Sequence, residues 1–263
     1  MTTAAGAGGV RPDVFGGWPA VIGHRGLGCG VVAGHPQNTL SSFAAAVRSG
    51  ARWVEADVRR LRDDVLVVAH DAVQPDGTRL DDLTGAEADR RGVLRLSTLL
   101  HELPLQVGVN VDLKSSMDDC LRSPGRTTAG LLAPVVAAEA ARRPLMVSSF
   151  DPAALRLLRA SAPRVPLGLL TWHRFPLEMA VAACAHMDVE VLALHVGSLC
   201  EEPAGRLDQG VLTRLLSLLH RCGRQLLVWC PEVASARLLV SAGTDAVVVD
   251  DLPEALLALT PVP

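Results

Sequence analysis

Residue types that do chemistry cluster at the ends of apolar runs in this sequence. Residues 20–23 lead into His24 and Arg25, residues 65–69 lead into His70, and residues 53–57 carry Glu55 and Asp57. Side chains two apart on a strand face the same side, ~6.6 Å apart along the backbone. Glu55 and Asp57 therefore point into one interior, and Asp112, near the end of the run 106–113, can supply a third carboxylate. Carboxylates gathered in an apolar interior repel and are costly to desolvate unless a cation or a proton compensates. Without cysteines at matching spacing, the set favours a hard divalent ion, Mg²⁺ or Ca²⁺, over zinc. A structural ion-pair network with Arg59, Arg60 or Lys114 would account for the same spacing.

His24 and His70, as a pair at strand ends, can serve as general base and general acid, since imidazole changes charge near neutral pH. Arg25 and Lys114 offer positive charge to a phosphate, the arginine as a fork and the lysine as a point charge. Lys114 is the only lysine among 25 basic residues, so it is a candidate for a task arginine does not perform. His195 ends a run, and His173 follows Thr171-Trp172 after another, so both are candidates to line a pocket. Gly26, Gly28 and Gly30 in "GLGCG" resemble a dinucleotide-binding loop. However, the charged pair precedes them, no helix follows directly, and no acidic residue closes a following strand in the required setting.

These residues need elements to hold them. Strands are expected at 20–23, 53–57, 65–70, 106–113, 145–149, 167–170, 189–194, 226–229 and 245–249. Between them lie helical patterns. Leu40, Phe43, Ala44 and Val47 form a stripe stopped by Gly50, and Leu212, Leu215, Leu216 and Leu219 form another ending before Gly223. Asp151-Pro152 reads as an N-cap followed by proline at the first helical position. Such alternation implies parallel strands with crossover helices, as a barrel or a doubly wound sheet. Nine strands are one too many for an eight-stranded barrel. Seven residues separate Asp57 from Val65, too few for a parallel crossover, so 65–70 is expected to return as a hairpin. Residues 71–105, polar at first, are expected to form a small excursion over the site. No repeat or low-complexity linker divides the chain, so 1–263 is read as one domain.

Bulk composition narrows the function classes. With 49% apolar residues and a net charge of -3, the chain can build a large core and has no overall attraction for nucleic acid. Its six cysteines lack CxxC spacing, which favours reduced thiols over disulfides or structural zinc. The opening "MTTAAGAGGVRPDVFGGW" lacks a charged start and a continuous apolar stretch, so no signal peptide is expected. With no run long enough to span a membrane, a cytoplasmic protein is expected. Nothing in the sequence sets an oligomeric state.

In order, "GHRG", "HPQNTLSSFAAAVRSGARWVEADVRR", "VLVVAHD", "VNVDLK", "VSSFD", "LGLL", "LLVWC" and "SAGTDAVVVDDLP" resemble the glycerophosphodiester phosphodiesterase family. The resemblance covers about residues 20–255 and implies a TIM (β/α)8 barrel with its site at the C-terminal ends of the strands. It implies His24 and His70 as catalytic residues, Arg25 as a phosphate contact, and Glu55 and Asp57 as ligands of a divalent cation. Asp112 stands where the family usually has glutamate, with Lys114 as the lysine of that element, and Trp229 resembles a tryptophan walling the site. The implied activity is metal-dependent hydrolysis of a small-molecule glycerophosphodiester to an alcohol and glycerol phosphate. A lysophospholipid or another lipid or sugar phosphodiester is the alternative substrate, and a phosphate-binding protein without turnover is the alternative class. Besides Asp112, the sequence departs from the family pattern in three places: Gln37 replaces the usual glutamate of the Pro-Glu-Asn-Thr turn, Val249-Asp250 replaces the usual Thr-Asp, and the spacer from His24 to Pro36 is longer than in many members.

Overall fold

A computed structural model describes residues 13–16, 19–201 and 205–259. Most of the opening stretch read above for a leader therefore lies outside the described residues. Eight parallel strands close into a barrel: β1 (Ala20–Gly23), β2 (Trp53–Arg60), β3 (Gly108–Leu113), β4 (Leu145–Ser149), β5 (Leu167–Thr171), β6 (Val191–His195), β7 (Gln225–Trp229) and β8 (Ala246–Val249). Each pairs with its sequence neighbour, and β1 pairs with both β2 and β8, which closes the ring. A helix follows each strand: α1 (Leu40–Arg48), α2 (Leu96–Glu102), α3 (Thr128–Ala140), α4 (Pro152–Ser161), α5 (Leu177–His186), α6 (Gln209–Arg221), α7 (Val233–Ser241) and α8 (Leu252–Leu259). The alternation is that of a TIM barrel. No described helix is long and apolar enough to cross a membrane.

The expected ninth strand is the hairpin return. Leu66–Val68 runs antiparallel to the end of β2, and Leu94–Arg95 adds to its free edge. Between them, Leu80–Asp82 and the short helix Gly85–Arg90 pack on a small core of Leu61, Val67, Leu80, Leu83 and Ala88. Two residues each at Val31–Val32 and His35–Pro36 form a further hairpin in the loop after β1, too short to leave a periodic signal.

The helices form where capping and apolar spacing coincide. Thr39 caps α1, and Asp151 caps α4 by accepting from the Ala153 N–H at 2.8 Å, with Pro152 at the first position. The α6 stripe Leu212, Leu215, Leu216 and Leu219 is fully buried against the barrel's outer face. Inside the ring, the lower layers hold Ile22, Trp53, Met146, Leu170, Val191, Ala193, Leu227 and Val248, with Phe15 edge-on against Trp53 at 5.4 Å as a plug. Gly108 makes room for that plug, because a Cβ there would lie 2.4 Å from the Trp53 ring. Above the apolar layers the inward positions become polar. Parallel register sets Glu55 beside Asn110 and Asp57 beside Asp112, with Ser148 next on β4. The barrel thus carries its acids at the strands' C-terminal ends.

Candidate active site

Arg25 leaves β1 in the left-handed region, φ 55°, which turns its backbone N–H onto Glu55 Oε2 at 2.9 Å. Its Nε lies 3.2 Å from Asp57 Oδ2, and its Nη1 donates to Gln37 Oε1 at 2.8 Å. Gln37 Oε1 also accepts from the Gly30 N–H at 2.8 Å, so one amide oxygen pins both the guanidinium and the loop over it. Asn38, also left-handed at φ 56°, donates its side-chain amide to Asp57 Oδ2 at 2.8 Å. Strained backbone of this kind persists where the surroundings over-determine it. The "PQNT" turn serves to hold Arg25 and Asp57 in place.

Glu55, Asp57 and Asp112 are all buried, and each offers an oxygen within 4.8 Å of the other two. Lys114 Nζ lies 3.0 Å from Asp57 Oδ1 and forms a short hydrogen bond to Asp112 Oδ2. Of the alternative partners, Arg59 donates to the His70 carbonyl at 2.7 Å, and Arg60 pairs with Asp118 and Asp119 away from the cluster. Burial, followed by repulsion from Asp57 and Asp112, pushes the Glu55 carboxyl well above the usual carboxylate range. Burial is also the main influence on Asp112 and, with Asp57, raises it to about 6 against the pull of Lys114. Asp57 goes the other way: burial would raise it, but Lys114, Arg25 and the Asn38 amide together hold it low. Burial works against the charge on Lys114, and its three acidic neighbours more than offset that. Two cationic side chains thus face three carboxylates. Glu55 Oε1 and Asp112 Oδ1 accept no hydrogen bond from any described residue, and Asp57 Oδ1 has only the Lys114 ammonium beside it. Three buried carboxylates, hard ligands only and two of them with an oxygen lacking a donor, fit a hard divalent cation.

Both histidines are backed by aspartates. His24 Nδ1 lies 2.5 Å from Asp250 Oδ1, with Nε2 turned inward, 3.9 Å from Glu55 Oε2. His70 Nδ1 lies 2.8 Å from Asp71 Oδ1. An ionised aspartate at Nδ1 holds the proton there and leaves Nε2 with its lone pair. For Asp250 burial is opposed by the His24 hydrogen bond and charge, and the net effect keeps its carboxyl low. Burial is the main influence on His70 and holds it below the usual imidazole value, with Arg25 and Lys114 adding to that and Asp57 opposing it.

His24, Arg25, Glu55, His70, Asp112, Lys114 and Trp229 line one cavity of about 210 Å³, with Asp57 behind them under Arg25 and Lys114. No residue of 71–105 lines it. Neither His195 nor His173 does so either. His195 packs edge-on behind Trp229 with centroids 4.4 Å apart, spends Nδ1 on the Gly197 N–H, and has His173 behind it at 4.9 Å. Both histidines buttress the wall. Several lining or supporting residues were assigned no role from the sequence: Asp71, Asp250, Asn38, Phe150 and Cys230. Asp71 beside His70, Asn38 in the "PQNT" turn and Asp250 in Val249-Asp250 were open to inference from position.

A family model described as the glycerophosphoryl diester phosphodiesterase family matches residues 24–254. A glycerophosphodiester phosphodiesterase of Caldanaerobacter subterraneus is 25% identical across 91% of this chain and 96% of its own length. A probable glycerophosphodiester phosphodiesterase of Mycobacterium tuberculosis is 42% identical over 59 residues, a stretch that spans 22% of this chain and 20% of that relative. Among solved structures, the fold is similar to a glycerophosphodiester phosphodiesterase of Thermotoga maritima, with TM-score 0.69, 22% identity and coverage of 91% and 97% of the two chains. It is also similar to an Oleispira antarctica phosphodiesterase in complex with the product sn-glycerol-3-phosphate, with TM-score 0.72, 21% identity and coverage of 94% and 98%.

Proposed function

The chain belongs to the glycerophosphoryl diester phosphodiesterase family, and from that premise we propose that it hydrolyses a glycerophosphodiester to an alcohol and glycerol phosphate. One observation carries the reading: a single cavity is lined by two aspartate-backed imidazoles and by Glu55 and Asp112, each with a buried oxygen that no described residue bonds, with Asp57 directly behind them. Glu55, Asp57 and Asp112 would hold Mg²⁺ or Ca²⁺, which when bound neutralises phosphate oxygens and stabilises charge in the transition state. With that ion, Arg25 and Lys114 set against the three carboxylates leave one positive charge, which a phosphodiester monoanion neutralises. Asp112 is shorter than the usual glutamate, and Lys114 holds it in place.

The chain's own groups then divide the work. Arg25 presents the free edge of a guanidinium already fixed by Asp57 and Gln37, so little freedom is lost when it meets phosphate. Lys114, paired with the other oxygen of Asp57, adds a point charge. One histidine accepts at Nε2 the proton of the attacking hydroxyl, supplied by the substrate's neighbouring alcohol or by water. The other delivers a proton to the departing alkoxide as its bond to phosphorus breaks. Asp250 and Asp71 stabilise the imidazolium formed on either side. Trp229 and Phe150, edge to face at 5.9 Å, give the cavity an aromatic wall.

A second reading within the same chemistry has its own support. Trp172 stacks on Phe150 at 5.1 Å and is 57% exposed, carrying the aromatic wall out to solvent, where it suits an apolar alcohol such as that of a lysophospholipid. Phosphorus NMR of the purified protein with glycerophosphocholine or a lysophospholipid, each with Mg²⁺, Ca²⁺ or chelator, tests both. The expected result is conversion of one diester to a monoester, reduced at least ~10²-fold in His24→Ala and in His70→Ala. Binding of the diesters without conversion of any would favour a phosphate-binding protein instead.

A further inference from the structure

Barrel closure brings together a second, chemically different set of donors. His24 on the loop after β1, Cys230 directly after β7 and Asp250 directly after β8 each offer an atom, and these atoms lie within 4.8 Å of one another. Cys230 Sγ is 3.9 Å from His24 Nδ1 and 3.6 Å from Asp250 Oδ1. Cys230 adopts the left-handed region at φ 54°, a conformation a non-glycine residue rarely takes. We propose that His24, Cys230 and Asp250 form a three-ligand site for a thiophilic divalent cation of the Zn²⁺ class, and that its occupancy silences His24.

The donor chemistry and spacing agree with this assignment. Tetrahedral zinc with Zn–S of ~2.3 Å, Zn–N of ~2.0 Å and Zn–O of ~2.1 Å sets S–N and S–O edges near ~3.6 Å and an N–O edge near ~3.4 Å. The two sulfur edges in the protein, 3.9 Å and 3.6 Å, already lie close to those values. Only the His24–Asp250 edge, closed to 2.5 Å by its hydrogen bond, must open, and the Asp250 side chain is 48% exposed. A route for the ion exists beside the substrate cavity, since Cys230 lines both. Cys230 and Asp250 also line a second cleft, with Glu232, Asp251 and Glu254, whose carboxylates concentrate cations. One thiol, one imidazole and one carboxylate select a softer ion than the Glu55–Asp57–Asp112 set, which contains no sulfur. The two sites would therefore sort cations by type.

Coordination requires the His24 Nδ1 lone pair, so the imidazole proton moves to Nε2, and the Cys230 thiol proton leaves to solvent. His24 is then left with N–H facing the cavity and no lone pair for an incoming proton. The silencing rests on the proposed hydrolytic role of His24, whereas the binding does not.

Co²⁺ titrated into the protein in excess Mg²⁺ tests the binding, because only a thiolate ligand gives the near-ultraviolet sulfur-to-cobalt absorption. The expected result is a saturable band in the wild type that is lost in Cys230→Ser, kept in Cys29→Ser and Cys120→Ser, and weakened at least ~10-fold in apparent affinity in Asp250→Asn. Absence of the band in the wild type, or its persistence in Cys230→Ser, would overturn the site. For the consequence, Zn²⁺ in excess Mg²⁺ should lower wild-type turnover at least ~10-fold, and Cys230→Ser, measured against its own zinc-free rate, should lose less than ~2-fold. Equal inhibition of both would overturn the silencing. A wild-type protein that binds Co²⁺ through Cys230 but hydrolyses no phosphodiester would uphold the site and refute only the catalytic reading.

Discussion

Replacing Asp250 with asparagine removes a charge from behind His24 and leaves the side-chain shape unchanged. Asp250 Oδ1 accepts from His24 Nδ1 at 2.5 Å, a charge-assisted hydrogen bond of a kind worth ~1.5–3 kcal/mol. Because the Asp250 side chain is 48% exposed, solvent screens it and the lower end applies, about a 10-fold effect on a step that forms imidazolium. The amide adds a second effect. If its Nδ2 turns toward the ring, the proton is driven from Nδ1 to Nε2 and the accepting tautomer becomes the minor one, for a further factor of ~10. The expected outcome for Asp250→Asn is a kcat lowered ~10- to ~100-fold with KM within ~3-fold, read from steady-state hydrolysis of a glycerophosphodiester. Asp250 acts through His24, so adding Asp250→Asn to His24→Gln should lower the rate little further. A single variant with kcat within ~2-fold of wild type, or a double variant that loses the full product of both effects, would refute this reasoning.

Three further outcomes follow from the same geometry. In chelator, stability should fall as pH rises between 3.8 and about 6, because Asp112 binds its proton more tightly in the folded state, a difference of ~3 kcal/mol; Glu55 acts in the same direction. Thermal melts at about pH 5 and about pH 7.5 should show this fall, and Ca²⁺ or Mg²⁺ should largely abolish it. Gln37→Glu should raise KM for an anionic diester several-fold with a smaller change in kcat, since a carboxylate at 2.8 Å from Arg25 competes with phosphate for the guanidinium; steady-state kinetics measures it. Gly108→Ala should destabilise by about 1–3 kcal/mol in denaturant unfolding, because the new Cβ meets the buried Trp53 ring.

Much of this architecture is legible in the sequence because barrel strands are buried on both faces and read as apolar runs. Their polar terminators, His24, Glu55, Asp57, Asp112 and Lys114, stand out against that background, and the structure gathers them in one cavity or directly beneath it. Caps such as Asp151-Pro152 act within a few residues, so they too are visible. The pairing of His24 with Asp250 spans 226 residues and exists only because β1 and β8 meet when the ring closes. Cys230 joins them for the same reason, so no local spacing marks that group. His195 and His173 show the opposite limit. A histidine at a strand end looks like a site residue, but the large Trp229 indole stands between these two and the cavity.

The most direct test of the central claim is hydrolysis of a glycerophosphodiester by chelator-stripped protein before and after addition of Mg²⁺ or Ca²⁺, with Glu55→Gln and Asp112→Asn measured alongside. The expected result is no turnover in chelator, full recovery of the wild type with one of the two ions, and at least ~10-fold weaker cation dependence in both variants. Undiminished turnover in excess chelator, or variants restored by the same ion concentration as the wild type, would contradict it.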